Sequence, residues 1–220
     1  MSVQTYTYFS VVYIGLYLFS TRVLRLVRNV AANLLSFTHS FFVVLFLGLH
    51  TTYDLNIEYL RCVSMMYFVM DTIMFQVPKK SWAFTIHHVV SFILIQKYLN
   101  PYNPDVNNVT MEIFKHTYFW IELSNWPIYV VYDFHKYMQQ YVHDIEQQLR
   151  HIKIYLILMQ IELAVFGLIR GALFLYYVII NPVMDTFLYQ AFVMVSIMSG
   201  YWYSYMLKKY NTIQVKLKHP

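Results

Sequence analysis

The sequence predicts an all-α integral membrane protein with about seven transmembrane helices, and three observations carry that expectation. Hydrophobic residues make up 59% of the 220-residue chain and charged residues only 12%, against about 25% charged in soluble domains. Apolar runs near the roughly 20 residues that a span requires recur seven times. Basic residues gather in alternate connections, the arrangement that orients multi-pass proteins. No stretch is left for a sizeable soluble domain. The net charge of +5 sits in loops and in the tail, which argues orientation and against a nucleic-acid partner. Cys62 is the only cysteine, so an internal disulfide and a cysteine-type zinc site are excluded.

The spans are read at roughly 3–21, 33–52, 60–77, 82–99, 110–132, 153–180 and 183–207. The first lacks a basic leading region and a small-residue cleavage site, so it reads as a retained anchor and not as a signal peptide. Arg22, Arg25 and Arg28 follow it and place that loop in the cytosol. Lys79 and Lys80, the segment 133–152, and the tail with Lys208, Lys209, Lys216 and Lys218 fall on the same side. The opposite loops, TTYDLNIEY, YLNPYNPDVNNV and NPVMD, are acidic or neutral, so every loop obeys the positive-inside rule. Asn108-Val109-Thr110 forms a glycosylation sequon on the lumenal side. The polar segment 135–151 is expected to form an amphipathic surface connector with Tyr137, Tyr141, Ile145 and Leu149 on one face. His135, His143 and His151 within it are expected to be solvated. Near the C-terminus, KLKHP resembles a dilysine-type retrieval signal of the endoplasmic reticulum.

Ionisable groups inside the spans are costly in lipid and must face a bundle interior or a wet cavity. They are His39, Asp71, His87, His88, His116, Glu122, Glu162 and Arg170. Counting about 1.5 Å per residue from the cytosolic end of each span puts His39 and His87 about 9 Å deep and Asp71 about 10 Å deep. Glu162 and Glu122 follow at about 14 Å and about 16 Å. Five spans thus bring ionisable groups into one slab between the cytosolic face and the midplane. Arg170, at about 25 Å, falls towards the lumen as a structural partner of carbonyls or headgroups. His87 and His88 point about 100° apart on a helix, so one can face a cavity and the other a neighbouring helix carrying Asp71. Ser91 lies three and four residues on and can share a face with either. Glu122 and Asn125 precede Pro127, which frees the carbonyl of residue 123 and bends that helix, either as a kinked packing helix with its polar groups paired or as the wall of a pocket with Glu122 in it.

These motifs resemble the TLC domain shared by ceramide synthases and several smaller membrane proteins. They are MYFVMDTIM with Tyr67, Phe68 and Asp71, TIHHVVSFIL with His87 and His88, and FWIELSNWPIY with Glu122, Ser124, Asn125 and Pro127. FTHSFFVV with His39 and GLIRGALFLYY with Arg170 fit the flanking helices. The resemblance covers about residues 30–210. It makes 1–29 an N-terminal anchor with its basic loop, 30–210 a TLC domain of six transmembrane helices, and 211–220 a basic cytosolic tail. It implies a six-helix barrel around a lipid-accessible cavity open to the cytosol, in a multi-pass protein of lipid metabolism in the endoplasmic reticulum. In ceramide synthases the reaction is N-acylation of a sphingoid base by fatty acyl-CoA. Carried over, His87 or His88 is the base or transient acyl acceptor and Asp71 its partner. His39, Ser91, Glu122, Asn125 and Glu162 line the substrate pocket.

One departure favours the smaller members. Ceramide synthases carry a further His-Asp-x-x-Asp motif in the helix after the histidine pair, whereas here His116 is followed by Thr117, with no aspartate before Asp133. The alternative to an acyltransferase is a non-enzymatic protein that binds or senses lipids with the same fold. A di-iron enzyme needs several His-x-x-His-His boxes and is excluded by the single pair. A bis-histidine haem site and a seven-helix receptor have little in their favour. The expectation is therefore no metal and no cofactor, with membrane lipids as partners and a homodimer left open.

Overall fold

The computed structural model describes residues 3–23, 28–53, 55–76, 82–141 and 145–218. Among the described residues there are seven α-helices and no strand: α1 (Val3–Leu18), α2 (Arg28–Tyr53), α3 (Ile57–Asp71), α4 (Trp82–Tyr98), α5 (Asn108–Tyr141), α6 (Ile145–Phe174) and α7 (Thr186–Lys218). Each expected span corresponds to one helix. Three helices relax into π-helical turns at their C-terminal ends: α1 over Phe19–Val23, α3 over Thr72–Gln76 and α6 over Leu175–Ile180. Two stretches are long and apolar enough to cross a membrane, Asn29–His50 with mean hydropathy 1.9 and Arg150–Ile180 with 2.1. The outer faces are apolar well beyond those two. Val11, Ile73, Ile197 and Tyr201 are each more than three-fifths exposed.

The helix starts follow from short polar side chains. Asn56 caps α3 by accepting the Glu58 N–H at 3.0 Å, Asn107 accepts the Thr110 N–H at the start of α5 at 2.8 Å, and Asp185 accepts the Leu188 N–H at the start of α7 at 2.8 Å. Each satisfies one of the backbone donors that a helix N-terminus leaves open. The 99–107 connection is built from turns in which Asn100 and Asn103 side chains accept the N–H two residues on. Thr110 is buried and Asn108 opens the first turn of α5, so the sequon lies in helix and not in an extended loop.

The chain divides into two compact units, 1–123 and 124–220. In the first, α3 packs against α1, α2 and α4, and its polar face carries the groups described below. The anchor helix joins this packing, because Tyr13 is buried and its ring lies 6.0 Å from that of Tyr67. In the second unit, α6 packs on α7. Their core of Tyr155, Met159, Leu163 and Tyr210 also takes Val131 from the latter half of α5.

The connector at 135–151 is not a separate amphipathic helix. Its first residues continue α5 to Tyr141 and its last begin α6 at Ile145. His135 stacks on Tyr155 and Phe134 on His151, so these aromatic and imidazole rings zip two antiparallel helices together. His143, Arg25, Lys79, Lys80, His219 and Pro220 lie outside the described residues, so the KLKHP signal is described only to Lys218.

Candidate functional site

The first unit holds a buried polar cluster built on α3. Ser64, Phe68 and Asp71 recur at intervals of four and three, which places them on one helical face. Thr72 follows where α3 passes into its π-helical turn, a local widening frequent at functional positions. Across from this face stand His88 of α4 and His39 of α2.

His88 is the histidine that turns inward. It is 6% exposed, whereas His87 is half-buried, as their divergent directions on α4 require. His88 Nδ1 lies 3.2 Å from Asp71 Oδ2 and 3.3 Å from Thr72 Oγ1. The Thr72 hydroxyl already donates to the Phe68 carbonyl at 2.6 Å, and a carboxylate can only accept. Nδ1 must therefore carry the proton, which leaves the lone pair on Nε2. A carboxylate holding one imidazole nitrogen in this way fixes the tautomer and strengthens the other nitrogen as a base. His87 remains beside the pair, its ring 5.5 Å from that of His88 and 6.5 Å from Phe68.

Aromatic rings join this dyad to His39. Phe68 meets His88 edge-on at 5.1 Å and His39 at 5.5 Å. Tyr67 stacks on His39 at 3.9 Å and 9°, and its hydroxyl donates to Ser36 at 2.9 Å. His39 Nε2 faces Ser64 Oγ at 3.2 Å, and Tyr118 of α5 donates to the same hydroxyl at 3.0 Å. That leaves the Ser64 proton for His39. His39 and Ser64 are almost wholly buried, so each polar atom needs the others.

Glu122 is buried in the first half of α5. Its carbonyl accepts the Ser40 hydroxyl at 2.9 Å, in the turn that Pro127 loosens by withholding a donor from residue 123. The helix runs on through Pro127. Ser91 is half-buried one turn beyond the histidines. A cavity of about 460 Å³ among the described residues lies further along α4, lined by Phe92, Ile93, Gln96, Lys97, Tyr102 and Pro104 among others.

Asn125 and Glu162 belong to the second unit. Asn125 does not stand open as a wall, since its Oδ1 accepts Arg170 Nη2 at 3.0 Å while Ser124 Oγ accepts Arg170 Nε at 2.9 Å. The Arg170 guanidinium also lies 5.1 Å from the Phe166 ring centre. The expected partners of Arg170 were carbonyls or headgroups; the structure adds the side chains of Ser124 and Asn125. Counting the helical rise separated Ser124 and Arg170 by about 12 Å. Side chains lean towards their own helix N-terminus, so on antiparallel helices these two lean towards each other and close the gap. Glu162 is buried on α6, within electrostatic reach of Lys209.

Sequence reasoning missed Thr72, Ser64, Tyr118, Ser36 and Tyr13. The four-and-three spacing of Ser64, Phe68 and Asp71 was a usable signal for one of them; the other four carried none. Comparison with known proteins yields no match to a family model, to a curated protein or to a solved structure.

Proposed function

We propose that this chain is a TLC-type multi-pass membrane protein that handles lipids through the His88–Asp71 pair, with N-acylation of a sphingoid base by fatty acyl-CoA as its reaction. The observation that carries this reading is the fixed tautomer of His88, which presents Nε2 as a base beneath an apolar exterior. In that reaction Nε2 takes a proton from the amine as nitrogen attacks the thioester carbonyl. The C–N bond forms, the C–S bond breaks, and the proton leaves with the CoA thiol. Positioned bases of this kind contribute about 10²–10⁴-fold. The exposed apolar side chains on α1, α4, α6 and α7 support a bilayer setting for all seven helices, because soluble monomers rarely expose so much. Positive loops on one side support a cytosolic C-terminus, and the KLKHP tail supports the endoplasmic reticulum.

A second reading is favoured by one feature. Aromatic rings pack closely around the cluster, and a hollow of about 460 Å³ among the described residues lies further along α4. A lipid-binding protein with the same fold needs no base and tolerates such packing. Mass spectrometry of purified protein incubated with long-chain acyl-CoA and sphingosine separates the two. The acyltransferase reading expects ceramide, or an acyl mass on the protein, from wild type and from neither under His87→Ala/His88→Ala. No product, with lipid co-purifying equally with both forms, would leave the binding reading.

A further inference from the structure

A second group of polar side chains lies in the second unit, at the helix ends that carry Lys136, Arg150, Lys153, Lys208 and Lys209. Tyr155 is 2% exposed, and its hydroxyl has no hydrogen-bond partner among the described residues. The His135 ring stacks on it at 5.2 Å and 20°, and its Nδ1 is likewise buried without a partner. Lys209 completes the group with its ammonium 5.5 Å from the centre of the same Tyr155 ring. A buried hydroxyl and a buried imidazole nitrogen left unpaired both cost stability, and each such atom calls for an explanation.

The local field gives the sign of what fits. Burial, then Lys209 and then Lys136, push the His135 pKa below its ordinary value, so the imidazole stays neutral near pH 7 in a positive surrounding. Two carboxylates lie near. Glu162 interacts with Lys209 but stands seven residues along α6 from Tyr155, about 10 Å deeper. Asp133 precedes His135 by two residues, about 200° round α5; it makes another interaction, but its Oδ1 is also buried without a hydrogen bond. Lys209 thus lies against two neutral hydrogen-bonding groups that share one aromatic ring.

We propose that Tyr155, His135 and Lys209 form a site for the oxygens of a phosphate, occupied by the headgroup of an anionic phospholipid such as a phosphatidate. The Tyr155 hydroxyl donates to one oxygen, the Nδ1–H tautomer of neutral His135 to a second, and Lys209 supplies the compensating charge. Charge-assisted bonds of this type are the strong ones. The proposal does not rest on the acyl-transfer reading.

The test uses the full chain in neutral detergent. Dissociation constants are measured by native mass spectrometry for dioctanoyl phosphatidic acid and dioctanoyl phosphatidylcholine, with sodium phosphate as competitor. Tyr155→Phe removes an unpaired hydroxyl, so the unliganded variant should melt no lower than wild type. Its affinity for phosphatidic acid should fall roughly tenfold, and that of Lys209→Gln by about as much or more. Phosphatidylcholine should bind all three forms alike. Competition by sodium phosphate assigns recognition to the phosphate alone, and failure to compete assigns it to the headgroup with its chains. Phosphatidic acid binding no tighter than phosphatidylcholine would overturn the site. So would equal affinity in wild type and Tyr155→Phe, the result expected of a trapped water. Should Lys209→Gln fail to fold, Tyr155→Phe carries the test alone.

Discussion

Asp71 and Thr72 decide which nitrogen of His88 is basic, and a single hydroxyl decides how His39 is held. Ser64 stands between Tyr118 and His39, so Ser64→Ala removes a hydrogen-bond partner from two buried polar groups at once, leaving them a 3.5 Å approach to each other. The expected loss is about 1–3 kcal/mol, read as a lower unfolding midpoint in denaturant. The level of His39, Asp71 and the histidine pair was legible in the sequence, because helical rise sets depth and the rings of Tyr67 and Phe68 join groups of equal depth. Ser64 and Tyr118 were not legible as partners. Serine and threonine in these helices default to bonding the carbonyl one turn back, as Thr38, Thr117 and Ser199 do, and nothing local distinguishes the one that bonds across. His135 gives a pH prediction. Its pKa in the folded chain is lowered, so the unfolded chain binds more protons below about pH 6.5. Stability should fall as pH drops through 6.5 towards the folded pKa, and His135→Gln should flatten that slope in a series of melting curves.

Between elements, close approach and directional leaning explain what span counting could not supply. A Cβ at Gly167 of α6 would stand 2.9 Å from the Tyr203 ring of α7. Gly167→Ala should therefore destabilise the protein by about 1–3 kcal/mol, and Tyr203→Leu in the same chain should recover much of it, a coupling that a double-mutant cycle measures. The spacing of Gly167 and Gly171 in GLIRG was a visible signal of close helix packing, and only Gly167 has a neighbour within 4 Å. Arg170 shows the other limit. A count along one helix gives a position, but its partners depend on the lean of two antiparallel helices. Arg170→Lys keeps the charge and loses the fork that serves Ser124 and Asn125 together, so it should lower the melting temperature measurably, whereas a role at lipid headgroups would tolerate it. The 135–151 segment differs from the expected single connector because it is split between the end of α5 and the start of α6; Phe134 and His135 stack on α6, while Tyr137 and Tyr141 stay exposed.

For the whole molecule, seven helices were readable from seven apolar runs, and among the described residues two stretches are long and apolar enough to cross a membrane. Orientation is open to direct test. A tag after Pro220 should be cut by protease added to sealed microsomes, and one in the 99–107 loop should be protected. Asn108 should carry no glycan, because the sequon is helical and Thr110 is packed; the intact mass checks this. The central claim concerns His88, and the most direct measurement is acyl-CoA-dependent ceramide formation at matched protein levels by wild type, His88→Gln, Asp71→Asn and His87→Gln. The account predicts a loss of about 10²-fold or more for His88→Gln, a comparable loss for Asp71→Asn, and a smaller one for His87→Gln. Full activity in His88→Gln, or no product from wild type, would contradict it.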